Sequence, residues 1–196
     1  MKLSEAVAAL IEEPRKFGTP RLHGNGFIQL DLDKGQRLHV WSDSLPQAQR
    51  IKTRVHDHKF GFHSEVILGT LLNFSYGFVP HHSGTMRVYS PVPRKGEDTR
   101  LEPTDVRGML VASGNKSIPM GSSYDFPLGA FHDTGWYGLT ATIMTKTDEC
   151  DVLARVLCST DLEPDNDFDR YQWEPEMLWG VINMVRRELS PLWGFC

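Results

Sequence analysis

Long apolar runs are missing from this chain of 196 residues. No stretch approaches the roughly 18 consecutive apolar residues of a membrane-spanning helix, so no membrane partner is expected. An excess of basic residues is missing too. Lys and Arg number 21 against 25 Asp and Glu, for a net charge of -4. That balance argues against a nucleic-acid partner, because such binders displace counterions with clustered cations. Cysteine is scarce: Cys150, Cys158 and Cys196 are an odd, scattered set without a CxxC pair. This argues against a disulfide framework and suits a reducing compartment, so the cytoplasm is the expected location. The three cysteines read as core residues rather than nucleophiles. Met1 to Glu13 carries three glutamates and no long apolar core, and does not read as a secretory signal. There is no internal repeat and no low-complexity tract.

What is present is an ordinary globular composition, 40% hydrophobic and 23% charged. One domain spanning residues 1–196 is expected, and a chain this long can bury roughly 70% of its unfolded surface without disulfides. Ala6, Val7, Leu10 and Ile11 recur at helical spacing after Ser4, and Pro14 follows as a stop, which predicts a short helix over Ser4–Glu13. From Phe27 the pattern becomes short runs broken by Gly and Pro: Phe27–Leu32, Arg37–Trp41, Lys52–His56, Glu65–Phe74, Thr85–Tyr89, Asp105–Ala112, Lys116–Met120, Ala130–His132 and Leu139–Thr145. Many short strands with turn residues between them indicate an antiparallel sandwich or barrel. Asp151–Ser159 reads as a further strand or a helix. Pro91 to Thr104, rich in Pro and charge, is expected to be an exposed loop over one mouth of the barrel. Leu162–Arg170 is acidic and reads as a connector. Met177, Leu178, Val181, Ile182 and Val185 then share one face of a predicted helix over Glu174–Leu189, with Arg186 and Arg187 in its last turn and Pro191 beyond it.

The chemistry concentrates in histidine. Val55-His56-Asp57-His58 places two imidazoles at i and i+2 of a predicted strand, where alternation sends both to one face. His132 ends a Pro-x-Gly-x-x-His turn. Three neutral imidazoles converging from two strands make a divalent-metal site with open positions.

The spacing resembles the cupin family. Cupins follow His-x-His with Gly about eleven residues later, as Gly69 follows His58. Their second motif is met as Gly121-Ser-Ser-Tyr-Asp-Phe-Pro127-Leu-Gly129-Ala-Phe-His132. The resemblance implies an all-β cupin β-barrel, a double-stranded β-helix or jelly roll. Its core would cover about residues 27–159, with a short N-terminal helix and a C-terminal helical extension over about 172–190. It implies one divalent ion on His56, His58 and His132, and a homodimer. Cupins commonly add a glutamate ligand where Phe62 and His63 stand here, so His63 and Glu65 are candidates for a fourth ligand or a supporting donor. The run His56-Asp57-His58 through His63-Ser64 to Leu68-Gly69-Thr70-Leu71 is similar to the cysteine dioxygenases, thiol-oxidising cupins that hold iron(II) on three histidines. That similarity implies Fe(II), with Zn, Ni or Mn as alternatives, and a small-molecule substrate.

Other residues complete the expectation. Arg54, two residues before His56, is a candidate for binding a substrate anion, as is Arg21. Tyr76, Tyr89 and Tyr124 are candidates for a pocket hydroxyl. Asp57 is expected to face away from the metal in a surface or turn-stabilising role. His81 and His82 read as exposed loop residues, and Trp136-Tyr137 as barrel packing. The expected function is a non-haem iron(II) dioxygenase. A redox-neutral metallo-cupin (isomerase, lyase or hydrolase) and a non-catalytic small-molecule binder are the alternatives.

Overall fold

The computed structural model describes residues 3–46, 52–93, 99–166 and 173–194. In chain order the elements are α1 (Leu3–Glu12), β1 (Arg21–Leu22), β2 (Ile28–Asp31), β3 (Gln36–Trp41), β4 (Phe60–Pro80), β5 (Met86–Pro93), β6 (Thr99–Pro119), β7 (Ser123–Phe126), β8 (Phe131–Glu149), β9 (Val156–Ser159) and α2 (Pro175–Leu192). The strands form one antiparallel sheet in the order β1-β2-β3-β8-β4-β6-β5-β9, with β7 paired to the first part of β4. Among the described residues no helix is long and apolar enough to cross a membrane.

Alternation sorts β2 and β3 between two environments. Ile28, Leu30, Leu38 and Val40 are fully buried and meet Ala6, Val7 and Leu10 of α1 and Leu178, Ile182 and Val185 of α2. Each such side chain contributes about 1.5–3 kcal/mol on burial, so both helices are clamped to the sheet. The C-terminal helix thus packs into this core. On the opposite face Phe27, Trp41, Phe60, Phe62, Leu71, Ile118 and Met144 form a second cluster, beside which the site lies.

Several expectations need correction. The helix α2 runs to Leu192, so Pro191 lies inside it and Arg186 is not in its last turn. Arg186 instead donates to the Ile11 carbonyl of α1 and to Asn183 Oδ1. The predicted strands over Asp105–Ala112 and Lys116–Met120 are one strand, β6, and those over Ala130–His132 and Leu139–Thr145 are one strand, β8. Gly114, which reads as a turn between two of these runs, falls at a bulge instead, and Gly69 lies at another. Ser75 pairs with Gly114 but Tyr76 with Ala112, leaving Ser113 as the extra residue. Leu68 pairs with Ala141 and Thr70 with Tyr137, so Gly69 faces a longer stretch of β8. Gly69 has φ +72°, and a Cβ there would overlap the Leu139 carbonyl oxygen and Thr140. Only glycine fits.

The Pro91–Thr104 segment is largely a hairpin, with Pro91 paired to Leu101 and Pro93 to Thr99; residues 94–98 lie outside the described residues. Leu101 anchors it by burial against Tyr89, Val156 and Cys158. The segment Asp151–Ser159 contains only the strand Val156–Ser159. The end of the acidic connector, 167–170, and Cys196 also lie outside the described residues, while Cys158 is buried and Cys150 half-buried.

Candidate metal centre

Residues 52–58 do not form the predicted strand. A turn precedes a single bridge position at His56, which pairs with His132 of β8 on one side and Val156 of β9 on the other. The His56 and His132 backbones exchange hydrogen bonds of 3.0 and 2.9 Å, Leu157 N–H donates to the Val55 carbonyl at 2.9 Å, and Asp57 N–H donates to the Arg155 carbonyl at 2.9 Å. This short seam joins β8 to β9 and carries two of the three histidines.

Asp57 locks the seam. It is 3% exposed, so of the surface and turn-stabilising roles expected for it the surface one is corrected, and the residue stabilises local backbone from a buried position. Its carboxylate accepts the Arg155 backbone N–H and, at 2.6 Å, the Arg155 Nε–H, while Arg155 also donates to the Gly129 carbonyl at 3.0 Å. Replacing Asp57 with alanine leaves those donors without their acceptor. Because Arg155 is 41% exposed at its side chain, water recovers part of the loss, and destabilisation of about 2 kcal/mol is expected. Urea unfolding of D57A against the parent checks this; an unchanged midpoint would remove the lock.

The side chains of His56, His58 and His132 each offer a ring nitrogen, and these lie within 4.8 Å of one another. His132 is 4% exposed. Its Nδ1 lies 3.0 Å from Asn73 Oδ1, and its Nε2 lies 2.9 Å from His58 Nε2. His56 donates its Nδ1–H to the Arg54 carbonyl at 2.7 Å, with the Asn25 amide 3.5 Å from the same nitrogen. That bond places the lone pair of neutral His56 on Nε2. Burial, with the neighbouring histidines, holds His58 and His132 well below the ordinary imidazole range. The neutral form, the one that ligates, is therefore favoured. Two lone pairs 2.9 Å apart need a proton or a cation between them. Three neutral nitrogens sharing a small volume fit one divalent ion, whose bonds to imidazole run about 2.0–2.1 Å.

A cavity of about 230 Å³ opens beside the three rings. Its floor is aromatic, from Phe27, Trp41, Phe60 and Phe62, and its polar wall is His23, Asn25, Gln29, Arg37 and His39. That wall follows from β2 and β3: Gln29 pairs with His39 and Asp31 with Arg37, all on the face turned from the helices. Burial, then the neighbouring Arg37, pushes the His39 imidazole down to about 3. Arg37 gives its Nε–H to Asp31 at 3.1 Å; its two terminal amino groups meet no acceptor among the described residues.

The remaining candidates fall outside the cavity, with one exception. Tyr124 lines it, and burial pushes its phenol up to about 12, opposed by a hydrogen bond with Ser64. Tyr76 sits in a separate hollow with Phe78 and Phe131, and Tyr89 packs in the Leu101 cluster. Arg54 turns to Asp133, with Nε 3.1 Å from Oδ1, and to the Thr134 carbonyl. Arg21 pairs with Asp31. His63 lies 2.8 Å from Asp125 and 3.8 Å from Glu65, and neither His63 nor Glu65 borders the cavity. The reason is parity: Phe60, Phe62 and Ser64 of β4 face inward, which sends residues 63 and 65 outward. His81 and His82 are exposed as expected, Trp136 packs against the aromatic cluster, and Tyr137 is exposed.

Sequence reasoning missed Asn73, His23, Asn25, Gln29, Arg37 and His39. The Arg37-Leu-His39-Val-Trp41 alternation was the available signal for the last two. No family model matches the chain, and no curated protein matches it.

Proposed function

We propose that this chain is a cupin-type metalloenzyme that holds one divalent ion, iron(II), on His56, His58 and His132 and oxidises a small anionic substrate, a thiol among the candidates. The convergence of three neutral imidazoles in one cavity carries this reading. Further support comes from the hydrogen-bonded seam at His56, which links β8 to the far end of the sheet order and completes a circuit through β4, β6, β5 and β9. The shared core of both helices with the sheet supports a single domain. When bound, iron(II) supplies the redox chemistry for dioxygen, whereas zinc, nickel or manganese would supply Lewis-acid chemistry.

The chain's own residues do the rest. At about 230 Å³ the cavity is smaller than the roughly 300–1,000 Å³ of sites for drug-sized ligands, which restricts the substrate to a small molecule. The aromatic floor excludes water around it. Arg37, rather than Arg54 or Arg21, supplies the cation: its open fork of two amino groups suits a carboxylate. Asp31, held low by Arg21 and Arg37 against the cost of its burial, fixes the Arg37 stem.

Metal analysis of the purified protein and oxygen uptake test this. About one iron per chain is expected, with oxygen consumed in the presence of small thiol carboxylates by the iron-loaded and not the zinc-loaded protein. Arg37→Met should keep the iron and lose uptake at low substrate. Activity with zinc and no need for oxygen would move the protein to redox-neutral chemistry. No metal even after reconstitution would leave a non-catalytic binder.

A further inference from the structure

Each imidazole has two neutral tautomers, and only one leaves Nε2 free as a ligand. At His56 a backbone carbonyl, which can only accept, makes that choice. At His132 the choice falls to a side chain, Asn73 on β4.

Asn73 is 6% exposed. In the β4–β8 register Ser75 pairs with His132 and Asn73 with Thr134, so Asn73 reaches His132 along the cross-strand diagonal on the same face. Its Oδ1 lies 3.0 Å from His132 Nδ1, while its Nδ2–H donates to Ser75 Oγ at 3.2 Å. An amide is ambivalent. With Oδ1 toward the ring it accepts the Nδ1–H, and His132 Nε2 is left with its lone pair toward His58. With the amide turned over, the NH₂ would donate to Nδ1 and the ring proton would move to Nε2, blocking the ligand position. In the structure the first orientation is the one present, with Nδ2–H given to the Ser75 hydroxyl.

We infer that Asn73 is a positioning residue that, with its Oδ1 toward the ring, sets the Nδ1–H tautomer of His132 and thereby readies its Nε2 for a metal. Its consequence for affinity rests on the metal-site reading, but the tautomer itself does not. Supporting partners of this kind are worth about 10–100-fold in metal affinity.

Three variants separate tautomer control from mere packing. Asn73→Leu removes the acceptor, Asn73→Asp keeps an acceptor that has no donor face in its ionised form, and Ser75→Ala, which removes a hydroxyl suited to either amide orientation, is the packing control. Long-range ¹H–¹⁵N spectra of metal-free, ¹⁵N-histidine-labelled protein report the tautomer directly. Zinc competition titrations report affinity. The parent, Asn73→Asp and Ser75→Ala should show the Nδ1–H form, and Asn73→Leu a rise in the Nε2–H form. Zinc affinity should fall 10–100-fold in Asn73→Leu and hold in Asn73→Asp. A packing role alone would penalise the buried carboxylate of Asn73→Asp more than the leucine. An unchanged tautomer in Asn73→Leu, or an Nε2–H form in Asn73→Asp, would overturn the inference. Should Asn73→Leu fail to fold, the Asn73→Asp spectrum still decides it. If the parent binds no zinc while the tautomers behave as stated, the metal-site reading falls and the tautomer control stands.

Discussion

Alanine at His132 is expected to abolish stoichiometric metal binding after dialysis, whereas alanine at His63 should leave it intact. Zinc sites with four ligands are worth about 10–16 kcal/mol at neutral pH, or roughly 3 kcal/mol per ligand. Losing one of three donors should therefore weaken binding on the order of a hundredfold or more. The contrast follows from position. His132 Nε2 lies 2.9 Å from His58 Nε2, while His63 is engaged with Asp125 on the outer side of β4. Metal content per chain and competition titrations compare the two variants. Equal losses in both would show that the ligand set has been misassigned.

Acid should destabilise the metal-free protein well above the range where carboxylates titrate. His39 is held down to about 3 in the fold against an ordinary value of 6.5, and His58 and His132 are depressed in the same direction. Between its folded and unfolded values each such histidine binds more protons when unfolded, so stability rises with pH there. The contribution is complete above about pH 6.5 and is lost as pH falls below it. Asp31 acts with the same sign but only below its ordinary value of 3.8, so the interval from pH 6.5 to 5 isolates the histidines. Urea midpoints of metal-free protein should drop steeply across that interval, and His39→Phe should flatten the slope. A flat profile in the parent would mean that these rings are solvated enough to charge in place.

Part of the fold and of the candidate site is legible in the sequence. The helices were legible because Ala6, Val7, Leu10 and Ile11, and Leu178, Val181, Ile182 and Val185, repeat at helical spacing and all end in one core. The three histidines were legible because two lie at i and i+2 and the third at a fixed distance from Pro127 and Gly129. Strand lengths were not. Glycine at 69 or 114 looks the same in a sequence whether it makes a turn or a bulge, and only pairing with a neighbour decides. Arg54 illustrates the other failure. Its spacing from His56 puts it on the ligand face only if residues 52–56 form a regular strand, and the turn there rotates its guanidinium to Asp133 instead. For Arg37 and His39 the shared face was visible, but nothing local says whether that face meets helices, solvent or a cavity.

The seam at residues 55–58 has an evolutionary consequence. Most proteins can drift in ligand residues and in structural residues separately, because the two sets occupy different positions. Here four consecutive residues hold two candidate ligands, the buried lock at Asp57 and the backbone bonds that join β8 to β9. A substitution that distorts their backbone disturbs the histidine cluster and the wall together. A lineage that replaced these imidazoles would still have to preserve the backbone path that carries them, and the cavity would outlast them.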